Sequence, residues 1–462
     1  MERLRAGGPL DVLIIGGGIN GAGVIRDLAL RAEYSGTPLR IALVEQKHFA
    51  SGTSGKNSQL IHGGLRYLKY LQFRLVRESL HERALLLKLA PQFVTPLGFL
   101  LPMYGFKSHL VYETGLWLYD RLGHYNRVSG SEAIAPHRMV SKSELAEMEP
   151  GLTRTRLSGA ALFYDCAIPS ARFVVENVLN AIAHGAVAVN YVHADHWERS
   201  GADGGWRVRC TDTLSGEQFE IEARKLVDAR GAWSNPDSLR LVRGSHIVIP
   251  RVNSSDHAIA HFEPDGRVVF VIPWGSRNQL TLVGTTDEDQ HESPDHVRIS
   301  SEETRYLLGI VRKLFPQHSD VTPVSWFSSL RPLVRASGSA TRASRDHRIW
   351  NSSDGVLHIA GGKYTTYRLM SQEAGDLVCH EIAPHLAAVQ RTAETPFAVV
   401  EREIGDRLEQ HLGDYLYVST YLGYEQRWDR ASLLPIARAL AAKRGWDESR
   451  VDAEVNAIIE AS

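Results

Sequence analysis

Short β-branched runs and amphipathic stretches alternate through the first half of the chain. Asp11-Val12-Leu13-Ile14-Ile15 is a continuous apolar run, as a parallel strand shows when helices cover both of its faces. It passes straight into Gly16-Gly17-Gly18-Ile19-Asn20-Gly21-Ala22-Gly23 and predicts a strand, a tight turn and a helix over 22–31. Arg40-Ile41-Ala42-Leu43-Val44 repeats the strand pattern and ends at Glu45. Phe73, Val76, Leu80, Ala84 and Leu87, spaced three or four apart, predict the apolar face of a helix within 69–90. A helix over 171–184 and strands near 186–192, 206–210, 219–221 and 225–227 follow, whereas 236–345 alternates short β-rich runs (268–273, 280–284) with polar turns, as an antiparallel sheet does. One more buried strand is predicted at 356–360, and the segments 432–443 and 448–459 read as helices of a small C-terminal cap.

Composition narrows the class. At 462 residues the chain has material for two or three domains, and 52 Lys+Arg against 53 Asp+Glu leave a net charge of -1, which gives no reason to expect a nucleic-acid partner. Three separated cysteines, Cys166, Cys210 and Cys379, form neither a disulfide framework nor a zinc pattern, and no metal site is expected. No signal-peptide core or spanning apolar run is present, so a cytoplasmic protein is expected, and the Asn253 and Asn351 triplets read as chance. Between Arg66 and Ala90 six Lys/Arg face two Glu, which suits either a solvated helix face or an anionic membrane surface. The apolar segments 97–104 and 115–119 read as core, the alternative being a patch that dips into one leaflet.

Gly16, Gly18 and Gly21 have the G-x-G-x-x-G spacing. The first glycine permits the turn, the second lets a pyrophosphate approach the backbone, and the third lets helix pack on strand, while the helix N-terminus points its N–H groups at the phosphates. Glu45, 29 residues after Gly16 because of a loop at 34–38, is placed to accept hydrogen bonds from a ribose. This motif fits NAD and FAD equally, and a ligand-free glycine turn is the competing reading. The segment Ala50-Ser51-Gly52-Thr53-Ser54-Gly55-Lys56-Asn57-Ser58 lets backbone crowd a large flat ligand, which favours FAD.

Next comes Leu60-Ile61-His62-Gly63-Gly64-Leu65-Arg66-Tyr67-Leu68, and with the glycine fingerprint it resembles the FAD-dependent, quinone-linked aerobic glycerol-3-phosphate dehydrogenases. Phe73-Arg74-Leu75-Val76-Arg77-Glu78, Arg243-Gly244-Ser245-His246, Leu330-Arg331-Pro332-Leu333 and Gly361-Gly362-Lys363-Tyr364-Thr365-Thr366 follow in the family's order, over roughly residues 11–380. The resemblance implies an α/β fold. It would have a Rossmann-like FAD-binding domain of the glutathione-reductase/D-amino-acid-oxidase type (1–90, 155–235, 346–385), an antiparallel β substrate domain (91–154, 236–345) and the helical cap (386–462). It implies FAD held by Gly16, Gly18, Asn20, Gly21, Glu45, Ser51, Thr53, Ser54, Ser58, Leu60, His62, Gly63, Gly64, Gly231, Gly362, Lys363, Thr365 and Thr366. The implied reaction oxidises sn-glycerol 3-phosphate to dihydroxyacetone phosphate, with electrons passing to a membrane quinone at the cytoplasmic face of the inner membrane; a homodimer is compatible with this.

Oxidation of a secondary alcohol needs a base, and a phosphate dianion needs cations. Arginine suits the phosphate because its planar fork bonds two oxygens, and lysine adds a point charge. Arg66, Arg331 and Lys363 are the candidates for substrate binding, with Arg331 and Lys363 also counted as catalytic; Lys363 or the helix after Gly362 would steady negative charge on the reduced flavin. His62 and His246 are equal candidates for the base, His246 also for substrate contact. Three departures from the family pattern stand out: Val227-Asp228-Ala229-Arg230-Gly231, with Arg230 in place of a small Thr, Val334-Arg335-Ala336 in place of acidic residues, and a segment after about residue 385 that is short for the family's helical C-terminal domain. Three rivals stay open: an oxidase using O2, a flavin-binding protein without turnover, which Arg230 makes thinkable, and an NAD-dependent dehydrogenase.

Overall fold

The structure, a computed structural model, describes residues 2–5, 8–104, 106–124, 134–200, 204–234, 239–290, 292–334 and 347–461; Arg335 and Ala336 lie outside the described residues. Strand Leu10–Ile15 is the centre of a parallel array ordered Leu357–Gly361, Gln218–Asp228, Leu10–Ile15, Ile41–Glu45, Val187–Asn190. Its alternation decides what covers each face. Val12 and Ile14 pack with Val24, Leu28, Val174 and Val178 of the helices Ile19–Ser35 and Ser170–Ala183. Leu13 and Ile15 pack with Val192, Ala194, Trp206, Val208 and Cys210. The second cover is thus the hairpin Val192–Ser200/Gly205–Asp212 rather than the helices expected from the apolar run. Either layer keeps water from the sheet, so the run alone does not distinguish them.

The second sheet runs Glu288–Asp289, Leu239–Pro250, Leu280–Gly284, Val268–Trp274, Ala258–Phe262, Thr95–Tyr104, Leu157–Ala167, Leu60–Ile61. Strand Ser325–Val334 pairs along Leu239–Pro250, and Arg138–Ser141 along Leu157–Ala167. Pairing is antiparallel except at Ala258–Phe262 against Thr95–Tyr104. Strand Leu157–Ala167 falls within the 155–235 span expected for the nucleotide domain, yet its partners all lie in this second sheet. Helix Ser301–Leu314, started by a Ser300/Glu303 capping box, buries Leu307, Val311 and Leu314 against Ile247, Ile249, Val271 and Val283 on one face. Phe99, Phe163 and Phe270 on the sheet's other side face a cavity between the two sheets.

Helix Phe73–Leu89 buries Val76, Leu80 and Leu87 as its spacing predicts, but exposes Phe73 and buries Glu82 and Arg83. The reason is pairing: Arg368 holds Glu82 at 2.6 Å and Asp165 holds Arg83. Of the two segments expected as core, Gly98–Met103 is buried while Tyr104 is exposed, and in 115–119 Leu116 and Tyr119 are buried but Trp117 is exposed. In the cap, Arg430–Arg444 and Glu448–Ala461 pack Leu433, Ala437, Val451, Val455 and Ile458 against Leu412 and Leu416.

The helix Ile19–Ser35 is fixed to the C-terminal half of the chain by fully buried Arg31. Its guanidinium bonds Asp27 at 2.7 Å, Asp376 at 2.7 Å and the carbonyls of Leu386 and Ala387. Removing one member of a buried ion pair strands the other charge in low dielectric. Arg31→Leu is therefore expected to cost about 3–5 kcal/mol and to lower the thermal midpoint by several degrees, whereas Arg31→Leu/Asp27→Leu should recover part of that loss in the same melting experiment.

Candidate active site

The first sheet ends on a cavity of about 540 Å³, walled on the other side by the second sheet. The turn Gly16–Gly18 forms its floor. A Cβ on Gly16, at φ +107°, would lie 2.7 Å from the Ala229 carbonyl, and one on Gly21 would lie 1.9 Å from the Gly16 carbonyl, so the backbone can close here only without side chains. Helix Ile19–Ser35 starts at Gly18 with no side-chain cap, which leaves its positive end open toward the cavity, where Asn20 lines the wall. Ser54 Oγ accepts from the Ile19 N–H at 2.9 Å. Glu45 ends its strand with Oε2 on the Gly17 N–H at 2.7 Å and Oε1 on the Lys47 N–H at 2.9 Å, and burial raises its carboxyl above the ordinary range.

Gly18, Ser51, Thr53, Ser54, Ser58 and Leu60 continue the wall, followed by His62, Gly64, Gly231, Gly362 and Lys363. Gly21, Gly63, Thr365 and Thr366 stand behind it. Gly21 packs on the turn, and the Gly63 N–H bonds Asp165 at 3.2 Å. Thr365 Oγ1 bonds both the N–H and the carbonyl of His62, and Thr366 Oγ1 bonds the Lys363 carbonyl. Arg230 lines the cavity too, with its guanidinium held on Asp228, Nε 2.9 Å from Oδ1, and over Trp197, so the charge that replaces a small residue is taken up by an ion pair. Burial opposes ionisation of Asp228, but His358 and Arg230 hold its carboxyl well below the usual range.

The three expected cations line the same cavity, and Asp287 lies near both Arg66 and Arg331. Arg66 and Lys363 both lie against the Tyr67 ring, and Lys363 Nζ donates to Ser79 Oγ at 3.0 Å. Arg331 is clamped: Nη1 donates to the Thr286 carbonyl at 3.1 Å and to Asp287 at 2.7 Å, Nη2 to Thr285 Oγ1 at 2.7 Å. Gly244 makes the room, since a Cβ there would lie 2.2 Å from the guanidinium. Burial opposes the charge on Arg66, yet Tyr67 and Asp287 hold its guanidinium above its ordinary value.

His246 lines the same space. Its Nε2 is 2.8 Å from Ser58 Oγ, its ring stacks on Phe327 and its buried Nδ1 has no hydrogen-bond partner among the described residues. Burial and then the Arg331 charge push the imidazole down to about 3, so it is neutral. His62 lines the cavity farther along the flavin-side loop.

Thr285, Asp287, Asp165 and Lys56 also line this site and escaped the sequence reading. Thr285 and Asp287 sit in Gly284-Thr285-Thr286-Asp287, which reads as one more polar turn; its one signal is a buried-type strand delivering an acid directly after two threonines. Lys56 has no carboxylate at ion-pair distance among the described residues, and burial lowers its ammonium below the ordinary value, with Lys47 adding to the effect. An uncompensated cation beside a glycine cradle and a helix N-terminus matches the diphosphate of an adenine dinucleotide, while Glu45 matches its ribose. Aromatic walls at Phe99, Phe163 and Phe270 suit a flat ring. The residues present therefore fit FAD, with Gly16–Asn20 for its diphosphate and the 58–64 loop with Gly362–Lys363 for its ring system.

The family described as FAD dependent oxidoreductase matches residues 11–368. Glycerol-3-phosphate dehydrogenase of Pseudomonas aeruginosa is 36% identical over 386 residues, covering 79% of this chain and 70% of that protein. Aerobic glycerol-3-phosphate dehydrogenase of Staphylococcus aureus is 34% identical over 383 residues, 80% of this chain and 66% of that one. The chain thus spans about two thirds of these relatives' length. Among solved structures, the glycerol-3-phosphate dehydrogenase of Bacillus halodurans complexed with FAD superposes with a TM-score of 0.71 at 23% identity, over 99% of this chain and 95% of that one. The FAD-bound L-alpha-glycerophosphate oxidase of Mycoplasma pneumoniae gives 0.61 at 19% identity, over 80% and 94%. By these matches the chain belongs to the FAD-dependent oxidoreductases, among the glycerol-3-phosphate dehydrogenases.

Proposed function

We propose that the protein oxidises sn-glycerol 3-phosphate to dihydroxyacetone phosphate and passes the electrons to a quinone. One observation carries the reading: Arg66, Arg331 and Lys363, from separate parts of the sequence, line the same cavity as the dinucleotide cradle. The relatives' names support the substrate part of the reading. FAD, when bound, supplies the acceptor for the hydride that leaves the carbinol carbon. The chain supplies the rest. Arg331 presents its fork to the phosphate with Arg66 beside it, and Lys363 is held by Ser79 and Tyr67 to stabilise negative charge at the ring end.

His246 takes the hydroxyl proton. It lines the cavity on the strand paired with that of Arg331, burial and the Arg331 charge keep it neutral, and its Nε2, 2.8 Å from Ser58 Oγ, would receive the proton directly or through that hydroxyl. His62 then serves the flavin-side loop through its backbone.

Contact with one membrane leaflet is part of the proposal. No helix among the described residues is long and apolar enough to cross a membrane. The apolar surface lies at Leu71, Leu110, Val111 and Trp117, exposed by 72, 62, 65 and 53%, on a turn and a helix that pack together beside Phe73–Leu89. This patch, which takes Trp117 from the expected segment 115–119 and nothing from 97–104, supports the leaflet reading.

Anaerobic addition of glycerol 3-phosphate to the FAD-loaded protein should bleach the flavin absorbance, and an intact spectrum would refute the substrate. Reoxidation by a soluble quinone without peroxide supports the acceptor; stoichiometric peroxide in air would replace quinone by O2. Arg331→Ala should lower kcat/KM at least a hundredfold while the purified protein keeps its flavin, checked by steady-state kinetics and absorbance.

The free-enzyme imidazole of His246, assigned by difference from His246→Gln, should not titrate from pH 5 to 8 in an NMR series. Its depressed value also has a stability consequence. From the ordinary pKa of about 6.5 down to about 3 the unfolded chain binds a proton that the native state refuses, so stability falls as pH drops through that window. The fall should be smaller in His246→Gln, measured by melting temperature against pH.

A further inference from the structure

Resting on the fit to FAD and independent of the substrate, we infer that Arg230 is a cofactor-holding residue: its guanidinium, anchored by Asp228, donates hydrogen bonds to the adenosine diphosphate half of FAD. The residue that departs from the family pattern thereby adds a contact that a small side chain at this position cannot reach.

Position is the first support. Arg230 follows strand Gln218–Asp228 and lines the cavity. A Cβ on Gly16 would lie 2.9 Å from the Arg230 Cα, so the backbone here stands against the turn that fits the diphosphate. The guanidinium lies over Trp197, 4.7 Å from the ring centroid, on strand Val192–Ser200. Val192, His193 and Ala194 at the start of that strand line the same cavity, and the strand contacts Ile41–Glu45, which carries the ribose acid. Arg230 thus touches the diphosphate turn through its backbone and, through its side chain, the hairpin that packs on the ribose strand.

The donors are the second support. A guanidinium carries its N–H groups in one plane, as a fork. Asp228 takes one edge of it, Nε donating to Oδ1 at 2.9 Å and Nη2 to Oδ2 at 3.0 Å. Nη1, off that edge, has no hydrogen-bond partner among the described residues, and 29% of the side chain is exposed. The anchor is itself fixed: Asp228 is fully buried and accepts from Ser234 Oγ at 3.0 Å and from the Arg230 N–H at 3.1 Å. An arginine held in this way gives up little rotamer freedom on binding. The adenosine diphosphate half offers acceptors along its whole length: phosphate oxygens, ribose hydroxyls and the ring nitrogens of adenine.

Arg230 also serves as the partner of Asp228, and the two duties must be separated. Removing Arg230 alone strands a buried carboxylate and disturbs the strand end whatever the residue does for FAD. Arg230→Thr/Asp228→Asn leaves no charge on either residue. Deflavinated protein is reloaded and the FAD dissociation constant is measured by equilibrium dialysis. The double variant should bind FAD about tenfold or more weakly than the wild type, the effect of one hydrogen bond between charged groups. ADP and adenosine, added as competitors of FAD, locate the contact. ADP should weaken by a similar factor; a matching loss for adenosine assigns the contact to the nucleoside, and an unchanged adenosine assigns it to the diphosphate. If the double variant does not fold, Arg230→Lys keeps the ion pair, lacks the fork and carries the same expectation.

Wild-type FAD affinity in the variant means that Arg230 serves Asp228 alone, and it overturns the contact. Weaker FAD with unchanged competition by both ADP and adenosine overturns it as well; where neither fragment competes against the wild type, the FAD constants decide. Because no arm uses glycerol 3-phosphate, failure of the proposed substrate leaves this contact standing, and failure of the contact leaves the substrate standing.

Discussion

The loop 51–58 is held against two neighbouring strands of the other sheet, and the cavity depends on that seam. Thr53 Oγ1 donates to the Leu330 carbonyl, Ser329 Oγ donates to the Lys56 carbonyl at 2.6 Å, and Ser58 Oγ meets His246 Nε2 at 2.8 Å. Strand Ser325–Val334 carries Arg331 between the first two contacts and the strand end, and its neighbour Leu239–Pro250 carries His246. The bonds that attach the cofactor loop therefore also fix the register of the side chains proposed to meet the substrate. A one-residue slip along this pairing would turn Arg331 to the opposite face of the sheet.

Two electrostatic regimes meet across the seam. Toward the glycine turn the chain offers partial positive charge from backbone and a helix end, which costs little to bury because it is spread over N–H groups. Toward Arg331 it offers full charges whose burial is offset by Asp287, Thr285 and the Tyr67 ring. The neutral state of His246 belongs to the same balance: burial disfavours a charged imidazole, and the clamped guanidinium beside it adds to that.

What could be read along the chain was whatever depended on neighbours in sequence. The turn at Gly16, Gly18 and Gly21 and the acid closing the next strand are local patterns, and they lie together on one cavity floor. The family order of short motifs carried the remaining cofactor and cation candidates. What could not be read depended on partners brought near by folding. Asp287 gains its meaning from Arg331, 44 residues away, and Glu82 and Arg83 point inward because Arg368 and Asp165 receive them. An apolar run such as Val12–Ile15 demands cover on both sides but is indifferent to whether a helix or a hairpin supplies it.

The central parallel pairing joins Leu10–Ile15 to Gln218–Asp228, and that strand to Leu357–Gly361, across gaps of well over a hundred residues. Each gap is a large loop whose closure entropy must be met before the paired strands stabilise each other. The nucleotide cradle is thus a late product of chain assembly, even though its glycines are made near the start: Gly16 leans on Ala229, and the wall is completed by Gly362. A nascent chain that has released only its amino-terminal fingerprint holds the motif without the pocket, and cofactor capture belongs to the final stage of maturation.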